Sequence, residues 1–255
     1  MDRKDFENKL ILGNSLEVLE TMPDCSVDLV LTDPPYIMKL TKNSGAGGCI
    51  AQSKNYVKKF IDSDKKTIIE DWDMGKYFEQ FTRVCNPFQG YFFCSVHQLP
   101  ELLNIAVNHG FIFSVLVWYK YNAAPLASTN WLPDMEYIVH MRKHGTYFKG
   151  KAKDKAKLFR VSSQKPKYGH PTEKPEAIIQ RLIKVSAPAG ALVLDPFLGS
   201  GTSAAVAAGM GRKYTGIEIE KEYLEAAKKR VYKAEIQNRF LAGKEVYKAE
   251  QKKLF

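Results

Sequence analysis

The sequence predicts an α/β fold, with one mostly parallel sheet covered by helices on both faces. Two observations lead to this class. Short apolar runs alternate along the chain with longer stretches of helical periodicity. The runs at 27–32 and 191–195 are almost continuously apolar, which is typical of strands that are buried on both faces of a parallel sheet.

The predicted elements follow one another in a regular order. Strands are expected at 10–12, 27–32, 91–96, 111–119, 136–141, 191–195 and 214–218. Helices are expected at 15–21, 73–85, 98–109, 175–185, 202–210 and 222–236, and the helix at 175 starts with a proline, which is favoured in a first turn. The segment 37–70 lacks periodicity and contains Gly45-Ala46-Gly47-Gly48, so we expect a long mobile loop there.

The composition bounds the class of protein. A hydrophobic share of 45% over 255 residues is sufficient for one core, so residues 1–255 are expected to form a single domain. The charged start is not followed by an apolar stretch, and no run of about 18 apolar residues occurs, so neither a secretory signal nor a membrane span is predicted. The four cysteines form no CxxC pair and the five histidines show no metal spacing. We therefore expect free thiols in a reducing cytoplasm, and no metal.

The net charge of +10 is concentrated in one segment. Residues 142–167 contain ten Lys or Arg and a single acid, Asp154, so this segment alone carries +9. Aromatic residues such as Tyr147, Phe148 and Phe159 alternate with these cations. Because cations neutralise phosphates and aromatic rings stack on bases, the segment predicts contact with nucleic acid. A solvated loop that only improves solubility is the alternative.

A candidate cofactor loop follows the strand at 191–195. Asp195-Pro196-Phe197-Leu198 leads into Gly199-Ser200-Gly201-Thr202 at the start of a helix, and Glu218 ends the next strand. Glycines let a ligand approach the backbone, and a carboxylate at Glu218 can accept hydrogen bonds from ribose hydroxyls. The pattern also fits a dinucleotide fingerprint. However, Asp195 would repel a pyrophosphate, whereas it would attract the ammonium group of a methionine moiety.

The tetrapeptide Asp33-Pro34-Pro35-Tyr36 at the end of an early strand is the candidate catalytic site. An exocyclic base amine is a poor nucleophile because its lone pair is delocalised into the ring. Two acceptors on its N–H bonds favour a tetrahedral amine, and the Asp33 carboxylate and the Pro34 carbonyl can supply them, since prolines fix the direction of that carbonyl. Tyr36 offers a face on which an extruded base can stack. A plain turn made by two prolines is the alternative.

Together, the two motifs closely resemble those of the β group of DNA amino-methyltransferases, in which the catalytic motif precedes the cofactor motif. The similarity covers residues 10–36 and 85–235. It implies a single Rossmann-like methyltransferase fold, with a mostly parallel seven-stranded sheet and a small basic target-recognition insert. It also implies S-adenosyl-L-methionine as the methyl donor and double-stranded DNA as the substrate. Because Asp rather than Ser precedes Pro-Pro-Tyr, the expected target is the N6 amine of a flipped-out adenine.

The resemblance assigns roles to individual residues. The motif at 13–19 is expected to contact the cofactor adenine, although Asn14 stands where many relatives have Asp, and the motif at 170–175 is expected to close over the methionine end. The expected cofactor-binding residues are Asn14, Asp33, Thr172, Lys174, Asp195, Phe197, Gly199, Ser200, Gly201, Thr202 and Glu218. The expected catalytic residues are Asp33, Pro34, Pro35 and Tyr36.

The resemblance also places target recognition at 122–169 and an active-site loop at 37–70. The expected DNA contacts are Lys120, Asn122, Arg142, Lys143, Lys149, Lys151, Lys153, Lys155, Arg160, Lys165 and Lys167. Among these, Arg142 and Arg160 are the chemically apt readers of guanine. A recognition region this short indicates a short target sequence or help from a second copy of the chain, and a cognate restriction enzyme is the other protein partner to consider.

Other functions stay open at this point. The N4 amine of cytosine requires the same chemistry as adenine N6. An RNA or protein-amide methyltransferase usually has another residue before Pro-Pro-Tyr and an earlier glycine loop. A catalytically inactive nucleic-acid-binding relative would have a broken motif, and neither motif is broken. An NAD-dependent oxidoreductase would bind NADH and not S-adenosylhomocysteine.

Overall fold

The computed structural model describes residues 1–35, 73–123, 131–164, 167–168 and 173–251, with side chains up to residue 240. Its strands are β1 (Lys9–Leu12), β2 (Leu29–Thr32), β3 (Gln89–Cys94), β4 (Ile112–Tyr119), β5 (Met135–Arg142), β6 (Leu158–Arg160), β7 (Leu192–Asp195) and β8 (Lys213–Glu218). They form one eight-stranded sheet in the order β1-β8-β7-β2-β3-β5-β4-β6. The seven predicted strands are all present. The expected count of seven was one too low, because β6 has only three residues inside the basic segment.

The helices of the described chain are α1 (Ser15–Thr21), α2 (Met74–Val84), α3 (Leu99–Asn108), α4 (Glu176–Ser186), α5 (Thr202–Gly209) and α6 (Lys221–Gln251). The first three pack on one face of the sheet and the last three on the other. Each begins within one residue of its predicted start. Only α6 is much longer than predicted, because lysine, glutamate and alanine sustain a helix beyond its apolar stripe. The predicted α/β class with helices on both faces is confirmed.

Strand direction creates one edge at which a site can form. Among the described strands only β5 runs against the others, since it pairs antiparallel with both β3 and β4. The remaining strands therefore end on the same side, which we call the carboxyl edge; the opposite side is the amino edge. The late strand β7 lies directly beside the early strand β2, with Leu194 opposite Val30. In open α/β sheets, ligands bind outside the carboxyl ends of the strands.

The core fills both faces of the sheet. Alternate residues of one strand point to opposite faces, so Leu29 and Leu31 pack beneath α4–α6, whereas Val30 packs beneath α1–α3. Small residues make up most of α5, which lets this helix lie close to the sheet and to α6. On the other face a cluster of aromatic rings surrounds Phe78, whose ring centroid lies 4.9 Å from that of Phe92. Tight packing on both faces holds the strand ends in fixed positions.

The segment 122–169 is built into this sheet in its described part. β5 lies in the sheet interior and β6 extends its edge beside β4. Asn122 closes the segment, because its amide donates to the Ser163 carbonyl at 2.9 Å and accepts from the Ser163 N–H at 2.7 Å. The active-site loop predicted at 37–70 lies outside the described residues. None of the described helices has both the length and the apolar character to cross a membrane.

The aromatic cluster gives a stability prediction. Phe78 is fully buried, so Phe78→Ala should lower the free energy of unfolding by about 3–5 kcal/mol through lost contacts and a residual cavity. Phe113 on β4 is 41% exposed, and Phe113→Ala should cost much less. Urea denaturation of both variants tests this difference. Similar losses in the two variants would contradict the described packing.

Candidate active site

The two candidate motifs meet at the carboxyl edge. β2 ends at Thr32 and β7 ends at Asp195, and the Thr32 hydroxyl donates a 2.8 Å hydrogen bond to the Asp195 carboxylate. The turn after β7 contains Gly199-Ser200-Gly201-Thr202, and we call it the glycine turn. Asp33 follows Thr32 directly, so its carboxylate lies at the strand end that adjoins this turn. Motifs that are far apart in the sequence are thus adjacent in the fold, in the arrangement that a shared site requires.

The Asp195 carboxylate organises the start of the glycine turn. Besides Thr32, the Ser203 hydroxyl and the Phe197 N–H donate to it, the latter at 3.1 Å. Burial raises the pKa of Asp195 to about 6, although these hydrogen bonds act in the opposite direction and the nearby Asp33 carboxylate adds a further small increase. A carboxylate with few waters and several neutral donors is a suitable partner for a ligand cation.

Glu218 ties the glycine turn to the end of β8. Its side chain accepts from the N–H groups of Gly199 at 2.7 Å and Glu220 at 2.9 Å, and its carbonyl accepts from the Gly13 N–H at 3.0 Å. Burial raises its pKa, partly offset by these backbone donors. Gly201 has a φ of 78°, and a Cβ atom there would lie 2.7 Å from the Ala227 Cβ, so only glycine fits between the turn and α6.

The hydroxyls of Ser200 and Thr202 face the interior of the protein. Arg230 of α6 donates to the Thr202 Oγ1 at 2.7 Å and to the Ser200 Oγ at 3.1 Å. The same guanidinium reaches Glu176 at 2.8 Å and lies over the Tyr168 ring. Both hydroxyls already accept from a buried arginine, and the expected cofactor contacts of Ser200 and Thr202 stay predictions. A contact through the backbone of the turn stays a prediction.

The candidate catalytic turn, Asp33-Pro34-Pro35, which we call the catalytic turn, is held from two sides. The Lys174 ammonium lies 2.7 Å from the Asp33 carboxylate, and the Gln98 side chain donates to the Pro35 carbonyl at 3.0 Å. Pro34 is buried and Pro35 is half-buried. These contacts fix the Asp33 carboxylate and the backbone on either side of the Pro34 carbonyl, which are the two candidate amine acceptors. Tyr36, the predicted stacking residue, lies outside the described residues, as do Thr172 and Lys165.

Two lysines have surroundings that the sequence did not indicate. Lys174, an expected cofactor contact, also lies 3.3 Å from Glu136 at the start of β5. Lys120, an expected DNA contact, is only 8% exposed and is hydrogen-bonded to the same carboxylate. Burial alone would raise the pKa of Glu136, but the ammonium groups of Lys174 and Lys120 outweigh it and hold this pKa below its ordinary value. Lys120 is thus a buried counter-ion of Glu136, and its expected contact with DNA stays a prediction.

The remaining cofactor candidates have local contacts. Asn14 caps α1, since its side chain accepts from the Leu16 N–H at 2.9 Å. Phe197 is half-buried, and its ring lies 5.2 Å from that of Tyr77 of α2. The Tyr77 hydroxyl is in turn 2.8 Å from the Ser15 hydroxyl. These contacts join the start of α1 to the glycine turn, so the two predicted cofactor motifs share one side of the carboxyl edge.

The expected DNA contacts divide into two groups. Arg160 is exposed at the carboxyl end of β6, and exposed Lys167 precedes Tyr168, which bonds to Glu173 beside the active site. Arg142 ends β5 at the amino edge, about 23 Å of strand from the start of β5. The other cations near that edge are Lys143, Lys149, Lys151, Lys153 and Lys155. Asn122 has its amide bonded to Ser163, which argues against base contact by this side chain.

Sequence patterns did not single out several residues that shape the site. Thr32 and Ser203 hold Asp195, Gln98 holds the catalytic turn, and Arg230 holds the glycine turn. Glu136 pairs with both buried lysines. For Arg230 the available signal was its helical position, three residues after the buried Ala227 and six after the buried Leu224, which places it on the apolar face of α6.

A glycine turn and two carboxylates at the carboxyl edge define an α/β protein that is built to bind a small ligand beside a reactive group. A family model described as DNA methylase matches residues 27–229, and the chain belongs to this family. It is 32% identical to the Type II methyltransferase M2.LlaDCHI of Lactococcus lactis subsp. cremoris over 244 residues, which cover 88% of this chain and 89% of the relative. It is 30% identical to the Type II methyltransferase M2.DpnII of Streptococcus pneumoniae, covering 88% and 90%.

Solved structures show the same fold. A complex of M1.HpyAVI with SAM matches with a TM-score of 0.63 at 24% identity, covering 88% of this chain and 98% of that one. The cytosine-N4-specific PvuII DNA methyltransferase matches with a TM-score of 0.66 at 18% identity, covering 91% and 92%. The fold that the sequence predicts is thereby confirmed as a methyltransferase fold. The alternative of an NAD-dependent oxidoreductase is wrong.

The environment of Asp195 gives a prediction for pH dependence. Because the folded protein binds a proton at Asp195 more tightly than the unfolded chain does, this group stabilises the fold at low pH. That contribution is lost as the pH rises from about 4 to about 6, and the difference between about 6 and the ordinary 3.8 corresponds to about 3 kcal/mol. Asp195→Asn keeps an acceptor for Thr32 and removes the titration. Its stability relative to wild type should therefore rise over this pH range.

Urea unfolding of the ligand-free proteins at pH 4.5 and pH 7 measures this difference. Asp28→Asn is a control, since Asp28 accepts from the Leu192 N–H at the amino edge and is not part of the site. Parallel pH profiles for wild type and Asp195→Asn would contradict the raised pKa.

Proposed function

We propose that this DNA methylase transfers a methyl group from S-adenosylmethionine to the exocyclic N6 amine of adenine in double-stranded DNA. The observation that carries the proposal is the Thr32–Asp195 hydrogen bond, which joins the Asp33-Pro34-Pro35 turn to the glycine turn at one sheet edge. An amine held by the first turn would face a ligand held by the second. The relatives that share most of the chain are Type II methyltransferases by name, and the matching family model is described as DNA methylase, which supports DNA as the substrate.

The side chains at the carboxyl edge fit the proposed cofactor. Asp195 offers a desolvated carboxylate to an ammonium group, and Glu218 offers one at the strand end where ribose hydroxyls are expected. The half-buried Phe197 ring and the start of α1 complete this side of the edge. When bound, S-adenosylmethionine supplies an electrophilic methyl group on a sulfonium, which becomes a neutral thioether as the methyl leaves. A buried acidic side chain suits such a cation better than it suits a pyrophosphate.

The chain's own contribution to transfer is to orient the amine. The Asp33 carboxylate accepts a hydrogen bond from one N–H of the base amine, and the Pro34 carbonyl accepts a hydrogen bond from the other. The lone pair of the amine nitrogen then projects away from both acceptors. Gln98 and Lys174 hold these acceptors in place before the base arrives. Acceptors that are fixed in advance reduce the reorganisation needed at the transition state. The proton that the methylated amine loses passes to Asp33 or to water.

Adenine is favoured because an Asp occupies the first position of the Asp-Pro-Pro-Tyr motif. Cytosine N4 is the second candidate, and the structural likeness to the cytosine-N4-specific PvuII enzyme favours it. Incubation with isotopically labelled S-adenosylmethionine and mixed-sequence unmethylated DNA, followed by digestion to nucleosides, separates the two. Labelled N6-methyldeoxyadenosine is expected. Labelled N4-methyldeoxycytidine as the main product would reject the adenine assignment, and the absence of any labelled nucleoside would reject DNA as the substrate.

Removal of the Asp33 carboxylate tests its role. Asp33→Ala should lower the rate of methyl transfer by at least about a hundredfold, because one of the two amine acceptors is lost. The affinity for S-adenosylhomocysteine should change little, since Asp33 is proposed to hold the amine and not to make the cofactor contact that the resemblance also implied. Single-turnover rates and a fluorescence titration give the two quantities. Near-normal turnover of this variant would show that the amine-acceptor role is wrong.

The basic surface is proposed to bind the DNA backbone. Arg160 and Lys167 lie at the same edge as the active site, whereas Lys151, Lys153 and Lys155 lie toward the amino edge. Each phosphate contact that is lost should reduce the slope of log affinity against log salt by about 0.9. We expect Arg160→Ala with Lys167→Ala to reduce this slope by up to about 2, and the three-lysine variant to have less effect.

Measurements of DNA affinity between about 50 and 200 mM salt give these slopes. Replacement of the exposed Lys228, Lys229 and Lys233 on α6 is the matched control. A larger effect of the three lysines than of Arg160 and Lys167 would contradict the assignment of the carboxyl edge to DNA. A homodimer and a cognate restriction enzyme stay predictions, which sedimentation and co-purification can test.

A further inference from the structure

Four charged side chains of alternating sign form a chain at the carboxyl edge. Lys120, at the end of β4, is hydrogen-bonded to Glu136 at the start of β5. Glu136 lies 3.3 Å from the Lys174 ammonium, which lies 2.7 Å from the Asp33 carboxylate. Asp33 is the proposed amine acceptor, so this chain connects the proposed reaction centre to the interior of the sheet.

The burial of these charges requires an explanation. The side chains of Lys174, Lys120 and Glu136 are only 8%, 10% and 17% exposed, and that of Asp33 is 23% exposed. Moving such groups out of water costs several kcal/mol for each ion, and well-packed apolar side chains often stabilise a protein equally well or better. Stability alone therefore does not account for four buried charges that end at a proposed catalytic carboxylate.

We propose that Glu136 and Lys120 are positioning residues of the methyl-transfer site, which act through Lys174 to fix the place and the charge of the Asp33 carboxylate. This inference rests on the proposed role of Asp33. Because of Glu136, the Lys174 ammonium contacts two carboxylates and not only that of Asp33. Lys120 compensates the second carboxylate, so that two positive and two negative groups make the cluster neutral.

Because the cluster is neutral, the loss of a positive group and the loss of a negative group should have opposite effects on the protonation of its carboxylates. Loss of Lys120 leaves the cluster with a net charge of −1, which favours protonation of its carboxylates. Loss of the Glu136 charge leaves it with +1, which disfavours protonation. Within the described part of the chain, Asp195 on β7 and the buried Cys94 at the end of β3 also interact electrostatically with Asp33, and neither changes in these variants.

The test uses Glu136→Gln, Lys120→Met and the variant that carries both changes. Each single variant should lower kcat by about 10- to 100-fold, because Asp33 is displaced while the binding surfaces are unchanged. KM for DNA and the affinity for S-adenosylhomocysteine should change less than about threefold. The double variant, whose cluster is neutral again, should have a higher kcat than either single variant.

The pH–rate profile distinguishes electrostatic positioning from a merely structural role. The acidic limb should move to higher pH in Lys120→Met and to lower pH in Glu136→Gln, by about one pH unit in each case. In the double variant it should return close to the wild-type position. A structural defect would not produce shifts of opposite sign. If one single variant does not fold, the other single variant and the double variant still give one predicted shift and its reversal.

The ion pair of Arg3 with Asp28, also at 2.7 Å, provides the control at the amino edge. Arg3→Met should leave kcat and the acidic limb unchanged. Shifts of the same sign, or a loss confined to DNA affinity in Lys120→Met, would overturn the inference and favour a direct DNA contact. If Asp33→Ala is inactive while these shifts are absent, the inference fails and the proposed function stands. An active Asp33→Ala rejects the proposed function itself.

Discussion

The architecture depends on the parallel pairing of β2 with β7, which is closed at its carboxyl end by the hydrogen bond from Thr32 to Asp195. This contact spans 163 positions of the sequence and sets the catalytic turn beside the glycine turn. Helices on both faces keep the two strands in register, because each strand has buried residues on both sides. A one-residue slip would move each buried side chain to the opposite face of the sheet, away from its packing partners, and would also separate Asp33 from its partner turn. The packing of the core and the geometry of the site therefore depend on the same register of β2 and β7.

Four acids at the carboxyl edge, namely Asp33, Glu136, Asp195 and Glu218, are compensated in two ways. Asp195 and Glu218 are surrounded by neutral hydroxyl and backbone N–H donors, so the negative charge that they carry remains available to a cationic ligand. Asp33 and Glu136 are instead compensated by lysine ammonium groups. In the proposed function, this difference would attract a sulfonium ligand to the glycine turn rather than to Asp33. The carboxyl edge therefore has one part in which acids accept from neutral donors and another part in which acids pair with lysines.

Periodicity and turn residues were sufficient for the fold, because long buried strands and amphipathic helices have strong patterns. The same patterns failed for β6, whose three residues lie among cations, and for the end of α6, where helix propensity acts without an apolar stripe. Both strand-end motifs were located correctly, since a carboxylate or a glycine directly after a buried strand must lie at the sheet edge. The directions of the Ser200 and Thr202 hydroxyls were not predictable, because they are set by Arg230 on a helix that comes later in the chain.

The basic segment shows why a sum of charges in the sequence does not define a binding surface. β5 is antiparallel to its neighbours, so the chain passes from the carboxyl edge at Glu136 to the amino edge at Arg142 within one strand. The strand that brings Glu136 to the site thus carries Arg142 away from it, and β6 returns the chain until Arg160 lies at the carboxyl edge again. Cations that are close in sequence are separated by this reversal. In the proposed reaction, the cations at the carboxyl edge would face the DNA. Strand direction determines which cations lie at this edge, and residue types alone do not reveal strand direction.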